Sequence, residues 1–115
     1  MKIKKKAEIN PGIMDGGEVS GIKFYPMITA KDGAPNFAMR LFEIDPLGHT
    51  PKHSHDWEHE VFIVSGSGYV FKDGREISIE KDTFLLVPKG ELHQFIAGED
   101  GMNMICVVPN KGQPD

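Results

Sequence analysis

The chain carries one cysteine, Cys106, so no disulfide can form within it. A lone thiol suits a reducing compartment, and the cytoplasm is the expected setting. Long apolar runs are missing as well. The longest is five residues, 104–108, against the ~20 that a membrane-spanning helix needs. The basic start MKIKKKAEIN has no apolar segment behind it, so no secretory signal is expected. Positive charge is also in short supply. Thirteen Lys and Arg face seventeen Asp and Glu, for a net charge of −4, which argues against a general nucleic-acid binder. There is no long helix-period stretch, internal repeat, low-complexity tract or linker.

What is present is a chain of 115 residues, 39% apolar, with 13 Gly and 8 Pro spread along it. That length closes one core, so a single domain over residues 1–115 is expected. Its ends, 1–6 and 110–115, are expected to be looser. Frequent Gly and Pro cut the sequence into short pieces, which read as strands and turns. Strands are expected at Val19–Ile28 (interrupted at Pro26), 37–44, 58–65, 68–72, 76–80, 83–87, 92–97 and 103–108. Asp73-Gly74 is a strong two-residue hairpin signal. The pattern predicts an all-β sandwich or barrel. The cluster Lys2, Lys4, Lys5 and Lys6 reads as a solvated face or tail.

Histidine is where the sequence becomes specific. Four of the five histidines, His49, His53, His55 and His59, fall within eleven residues, and His93 stands apart. Grouped histidines suit metal binding through neutral imidazole, though a solvated His-rich loop gives the same local pattern. Strand alternation explains the spacing. Residues two apart share a side, so His53 and His55 can reach one metal. In the strand that follows, His59 shares a face with Val61 and Ile63, while Glu60 goes with Phe62 and Val64. Only one of His59 and Glu60 can point at that metal without a bulge. A helix joining His55 and His59 at i, i+4 is disfavoured by Pro51 upstream and the Val-Phe-Ile-Val run downstream.

These residues resemble the two motifs of the cupin superfamily. In the first, Gly48 precedes His53-Ser54-His55, three residues lead to His59, and six more lead to Gly66. In the second, Asp82 stands in the place of a glycine, Pro88-Lys89-Gly90 and His93 match, and Ala97 stands in the place of an asparagine. Fifteen residues separate the motifs, the spacing of compact microbial cupins, and the resemblance covers residues 37–108. The family's usual glutamate ligand falls on His59 when Gly66 sets the register, with Glu60 as the alternative at looser spacing. The resemblance extends to small single-domain cupins with an all-histidine site. It implies a double-stranded β-helix, or jelly-roll-like barrel, and a metal held by His53, His55, His59 and His93. One divalent transition metal per chain is implied, Mn or Fe first, with Zn, Ni or Cu as alternatives. A homodimer is implied too, with residues 3–9 or 19–28 contributing.

Four neutral imidazoles would leave the full +2 charge of such a metal in place, which favours an anionic or peroxidic ligand. The leading expectation is a metal-dependent oxidoreductase of dioxygenase type acting on a small organic molecule. A metal-holding binding or sensor module and a Lewis-acid isomerase or lyase are the alternatives. The fold itself licenses none of them. No general acid/base pair, serine elbow, phosphate loop or dinucleotide fingerprint is evident, and Gly66-Ser67-Gly68 reads as a turn. A carboxylate among Asp56, Glu58 and Glu60 is expected to accept a ring N–H from a ligand histidine. His49 is expected to be solvated or to support a ligand. Cys106 reads as a core cysteine or as a barrel-lining thiol near the metal. Trp57 is expected at the barrel mouth or a subunit interface. Phe37, Met39, Phe42, Phe84, Phe95 and Met104 are expected to be mostly core, making a pocket too apolar for a sugar phosphate.

Overall fold

The computed structural model describes residues 1–113. Seven strands follow in chain order: β1 (Gly12–Gly16), β2 (Val19–Ile28), β3 (Phe37–His49), β4 (His59–Lys72), β5 (Arg75–Glu80), β6 (Phe84–Val87) and β7 (Gln94–Pro109). All pairings are antiparallel, in the order β1-β2-β3-β7-β4-β5, with β6 pairing the first residues of β4 on the edge that β5 takes further along. The chain is all-β, a double-stranded β-helix in a single small domain.

Two long strands carry most of this architecture. β4 pairs with β5, β6 and β7, and β7 pairs with β3 and β4. The residues expected as two strands, 58–65 and 68–72, are one strand. Gly66-Ser67-Gly68 is a bulged crossing within it, not a turn. Gly66 has φ +78°, and a Cβ there would lie 2.1 Å from the carbonyl oxygen of Gly101 on β7. Only glycine lets the two backbones pass this closely. The expected strands 92–97 and 103–108 are likewise joined. β7 continues through a bend at residues 98–101, after which its buried positions change parity from Phe95 and Ala97 to Met102, Met104, Cys106 and Val108.

Alternation decides what these strands bury. Ala38 and Ile44 of β3, Val61 and Ile63 of β4, and Phe95, Met104 and Val108 of β7 meet in one cluster. Each fully buried side chain of this size contributes about 1.5–3 kcal/mol by leaving water. The hairpin over Asp73-Gly74 is as expected, with Lys72 opposite Arg75. Asp82, in the place of a motif glycine, has φ +69°, the left-handed conformation that Asp tolerates better than most residues.

Several expectations need correcting. β1 was not foreseen; its exposed, glycine-flanked sequence carries little apolar signal. Residues 3–9 form no strand: Lys6–Glu8 is a 3₁₀ turn. At that end Lys4 pairs with Asp32 and Lys6 with Glu43. β2 is flanked by β1 and β3, which uses both of its edges. Residues 110–113 are docked too: Asn110 bonds the carbonyl oxygens of Asn36 and Ala34. Residues 114–115 of the expected loose end lie outside the described residues.

Candidate metal centre

Three segments deliver four imidazoles to one end of the barrel. His53 and His55 lie on the connection between β3 and β4, His59 opens β4, and His93 immediately precedes β7. The connection is fixed by backbone bonds. The amide of His53 donates to the carbonyl of His93 at 3.0 Å, and the amide of His93 donates back at 2.9 Å. The amide of Gly90, in the Pro-Lys-Gly turn, donates to the carbonyl of His55 at 2.9 Å.

The rings converge. Centroids of His53, His55 and His93 lie 5.0–5.1 Å apart, and His59 lies 4.8 Å from both His55 and His93. One ligand atom from each of His53, His55 and His93 falls within 4.8 Å of the others. The Nε2 of His59 is 3.1 Å from the Nε2 of His93. Strand parity separates the two candidates at the start of β4: His59 is 6% exposed on the inner face, and Glu60 is exposed on the outer one.

The opposite ring atoms show how protons are distributed. Nδ1 of His55 is 3.0 Å from the carbonyl oxygen of Trp57, and Nδ1 of His93 is 2.8 Å from that of Glu91. A carbonyl only accepts, so both Nδ1 atoms donate and both Nε2 atoms keep a bare lone pair. Nδ1 of His59 lies 3.0 Å from the Sγ of Cys106. Main-chain carbonyls and a thiol thus occupy the role expected of a carboxylate. Asp56 instead pairs at the surface with Lys89 and Lys111, and Glu58 and Glu60 are exposed.

Burial disfavours charge on three of the four rings. Burial, reinforced by His93 and His55, holds His59 down to about 3. Burial also lowers His53, with His93 and His55 adding to it. It lowers His93 against the opposing pull of the Glu91 carbonyl. Three imidazoles, His53, His55 and His93, with ligand atoms within 4.8 Å of one another are a donor set that Zn, Fe, Mn, Cu or Ni takes. The residues therefore fit a divalent transition metal.

The surroundings were partly foreseen. Trp57 stacks on His55, 4.4 Å between centroids and 7° between planes, and packs against Gly112, so it sits at the barrel mouth. Cys106 is both buried and beside the site. Burial raises its thiol, opposed by Arg40. His49 stands outside the convergent rings, with its Nδ1 3.1 Å from the Thr50 carbonyl. Phe95 lies against His93, and Met104 is in the core. Phe37, Met39 and Phe84, expected as core, are on the outer surface instead, with Phe37 64% and Phe84 79% exposed. Sequence reasoning missed Arg40. It is buried on the inner face of β3 and directs its guanidinium at Cys106. Its signal was a charged residue sharing parity with Ala38, Phe42 and Ile44.

The chain matches the family described as Cupin domain over residues 40–108, and it belongs to that family. It is also similar, at 31% identity over 72 residues, to the 1-methylthio-D-xylulose 5-phosphate methylsulfurylase of Rhodospirillum rubrum. That match takes in 61% of this chain and 46% of the relative, less than half of the relative's length. Among solved structures it is similar to the polyketide cyclase RemF from Streptomyces resistomycificus. The identity is 28% and the TM-score 0.88, over 96% of this chain and 80% of that one. A cupin-2 domain protein of Rhodospirillum rubrum shares the fold at 17% identity and TM-score 0.84, over 99% of this chain and 76% of that one.

Proposed function

We propose that His53, His55, His59 and His93 hold one divalent transition metal and that the chain is an enzyme acting on a small organic molecule beside it. The observation that carries this reading is that ligand atoms of His53, His55 and His93 lie within 4.8 Å of one another, with Nδ1 of His55 and of His93 already committed to carbonyls. When bound, the metal supplies Lewis-acid polarisation of a substrate oxygen or, if it is Mn or Fe, redox chemistry with dioxygen.

The chain's own contribution is charge and enclosure. Four neutral donors leave the metal's charge uncompensated, which favours an anionic oxygen such as an enolate. His59, neutral down to about pH 3, donates a lone pair and does not act as an acid. Trp57 shields His55 from solvent by stacking. Among the described residues, no carboxylate hydrogen-bonds a ring of the cluster, so proton transfer falls to substrate groups or solvent.

The likeness to a polyketide cyclase over 96% of the chain supports a non-redox reading: ring closure of an enolisable, carbonyl-rich substrate. The dioxygenase reading rests on the all-imidazole donor set. The reading further takes the working unit as a homodimer. It places it in the cytoplasm, which an unpaired thiol at Cys106 suits.

Metal analysis of protein from its native source, purified without chelator, tests the metal. Near one equivalent per chain is expected, and none would overturn the reading. Turnover of a synthetic poly-β-carbonyl under argon, giving a cyclised product, is the non-redox result. Substrate-dependent oxygen uptake with no anaerobic product would replace it with the dioxygenase.

A further inference from the structure

Trp57 is the one tryptophan of the chain, and it sits on a bend ahead of β4, outside any strand ladder. Its indole is nevertheless held, stacked on the His55 imidazole with 4.4 Å between centroids and 7° between planes. A turn remote in sequence lies against it. Gly112 is buried, and a Cβ built there would fall 2.6 Å from Nε1, 2.8 Å from Cδ1 and 2.9 Å from Cε2 of the indole. Three such similar distances place Gly112 over a face of the pyrrole ring, not at its edge. Backbone freedom does not account for this glycine. It ends the 3₁₀ turn Asn110–Gly112 and its φ is not positive, unlike that of Gly66 or Gly101. The backbone there tolerates a side chain, and the indole excludes one.

The turn is anchored against backing away. The Asn110 amide donates to the Asn36 carbonyl at 3.1 Å, and its Nδ2 donates to that of Ala34 at 2.9 Å. The Gln113 amide donates to the Asn110 carbonyl at 3.1 Å, and its Oε1 accepts from Nη1 of the buried Arg40 at 2.9 Å. Lys111 adds an exposed pair with Asp56 at 3.7 Å, which contributes little.

His55 depends on what this turn holds. Its Nδ1–H donates to the Trp57 carbonyl at 3.0 Å. One hydrogen bond fixes a point on the ring and leaves the plane free to swing about it. A stacked neighbour removes that freedom. Trp57 therefore restrains His55 twice, by main chain and by side chain, and the second restraint needs the indole kept in place.

We propose that the turn Asn110–Gly112 is a positioning element: through Gly112 it keeps Trp57 flat against His55 and so fixes the direction of that ring's ligating nitrogen. This deepens the metal reading and rests on it. A side chain at 112 would push the indole along its own normal, which within 7° is also the normal of the imidazole. The stack would break while the hydrogen bond to the Trp57 carbonyl survived.

A single tryptophan makes the test direct. In metal-free protein, Gly112→Ala should move the emission to the red and raise its quenching by acrylamide. Titration with zinc alone should show an affinity about 10-fold weaker. In the double variant Gly112→Ala, Trp57→Phe, the smaller ring leaves room for the methyl and still stacks, so zinc affinity should return to within about threefold of wild type. Unchanged emission or unchanged affinity in Gly112→Ala would overturn the proposal. So would a double variant as weak as the single one, because a turn that had merely misfolded would not be rescued by trimming Trp57. A wild type that binds no zinc overturns the metal reading and the ligand-positioning role with it, whereas the emission of metal-free protein judges the contact between Gly112 and Trp57 alone.

Discussion

The two faces of β4 have the same backbone and nearly the same hydrophobicity, yet they do different work. The inner face carries His59, Val61 and Ile63; the outer carries Glu60, Phe62 and Val64. Inside, a histidine joins a sealed apolar cluster and loses its affinity for protons. Outside, a carboxylate and two apolar side chains meet solvent. A one-residue slip in register would exchange the two sets. The comparison shows that position relative to the pleat, more than residue type, decides whether a side chain serves the site, the core or the surface.

The strongest way to break this comparison is to trim each face equally. Ile63→Ala should cost about 2–5 kcal/mol by leaving a cavity, and Val64→Ala under about 1 kcal/mol. Urea denaturation measures both, and equal costs would void the distinction. Next is the pair at the head of the strand. His59→Ala should weaken zinc binding about 100-fold, while Glu60→Ala leaves it unchanged; calorimetric titration decides.

Acid sharpens the contrast further. His59 is held to about 3 in the folded chain and returns to about 6.5 when unfolded. The unfolded state therefore binds more protons between those values. Metal-free protein should lose stability steadily as pH falls from 6.5 toward 3, and His59→Phe should flatten that slope. Denaturation midpoints at pH 7.5 and 4.5 test this, and a slope unchanged in the variant would assign the acid sensitivity to other groups. The smallest effect is expected at a turn. Asp82→Gly relieves a positive φ but loosens the unfolded chain, so thermal melts should move by less than about 1 kcal/mol.

Much of this was legible in the sequence because it depends on spacing. The hairpin at Asp73-Gly74, the shared face of His59, Val61 and Ile63, and the placement of His93 with Phe95 and Ala97 all follow from period two. What spacing does not reveal is which face of a strand looks inward when both carry apolar residues. That is why Phe37, Met39 and Phe84 read as core. Nor does spacing reveal that a strand survives a bend. Glycines at 66 and 101 look like strand ends, yet they are where β4 and β7 cross. The outer partners of the ring nitrogens were hidden for another reason. Two of the three are main-chain carbonyls, which every sequence supplies and none advertises.

The paired amide bonds between His53 and His93 have a consequence for how such a protein can diversify. The spacing of two imidazoles from separate motifs is set by main chain alone. Ser54 and Leu92, beside them, give no side-chain hydrogen bond to that arrangement. Their identities are free to drift, so the rim of the site can be rewritten for a new substrate while the donors stay where they are. A scaffold built this way separates the inheritance of its reactive centre from the inheritance of its specificity.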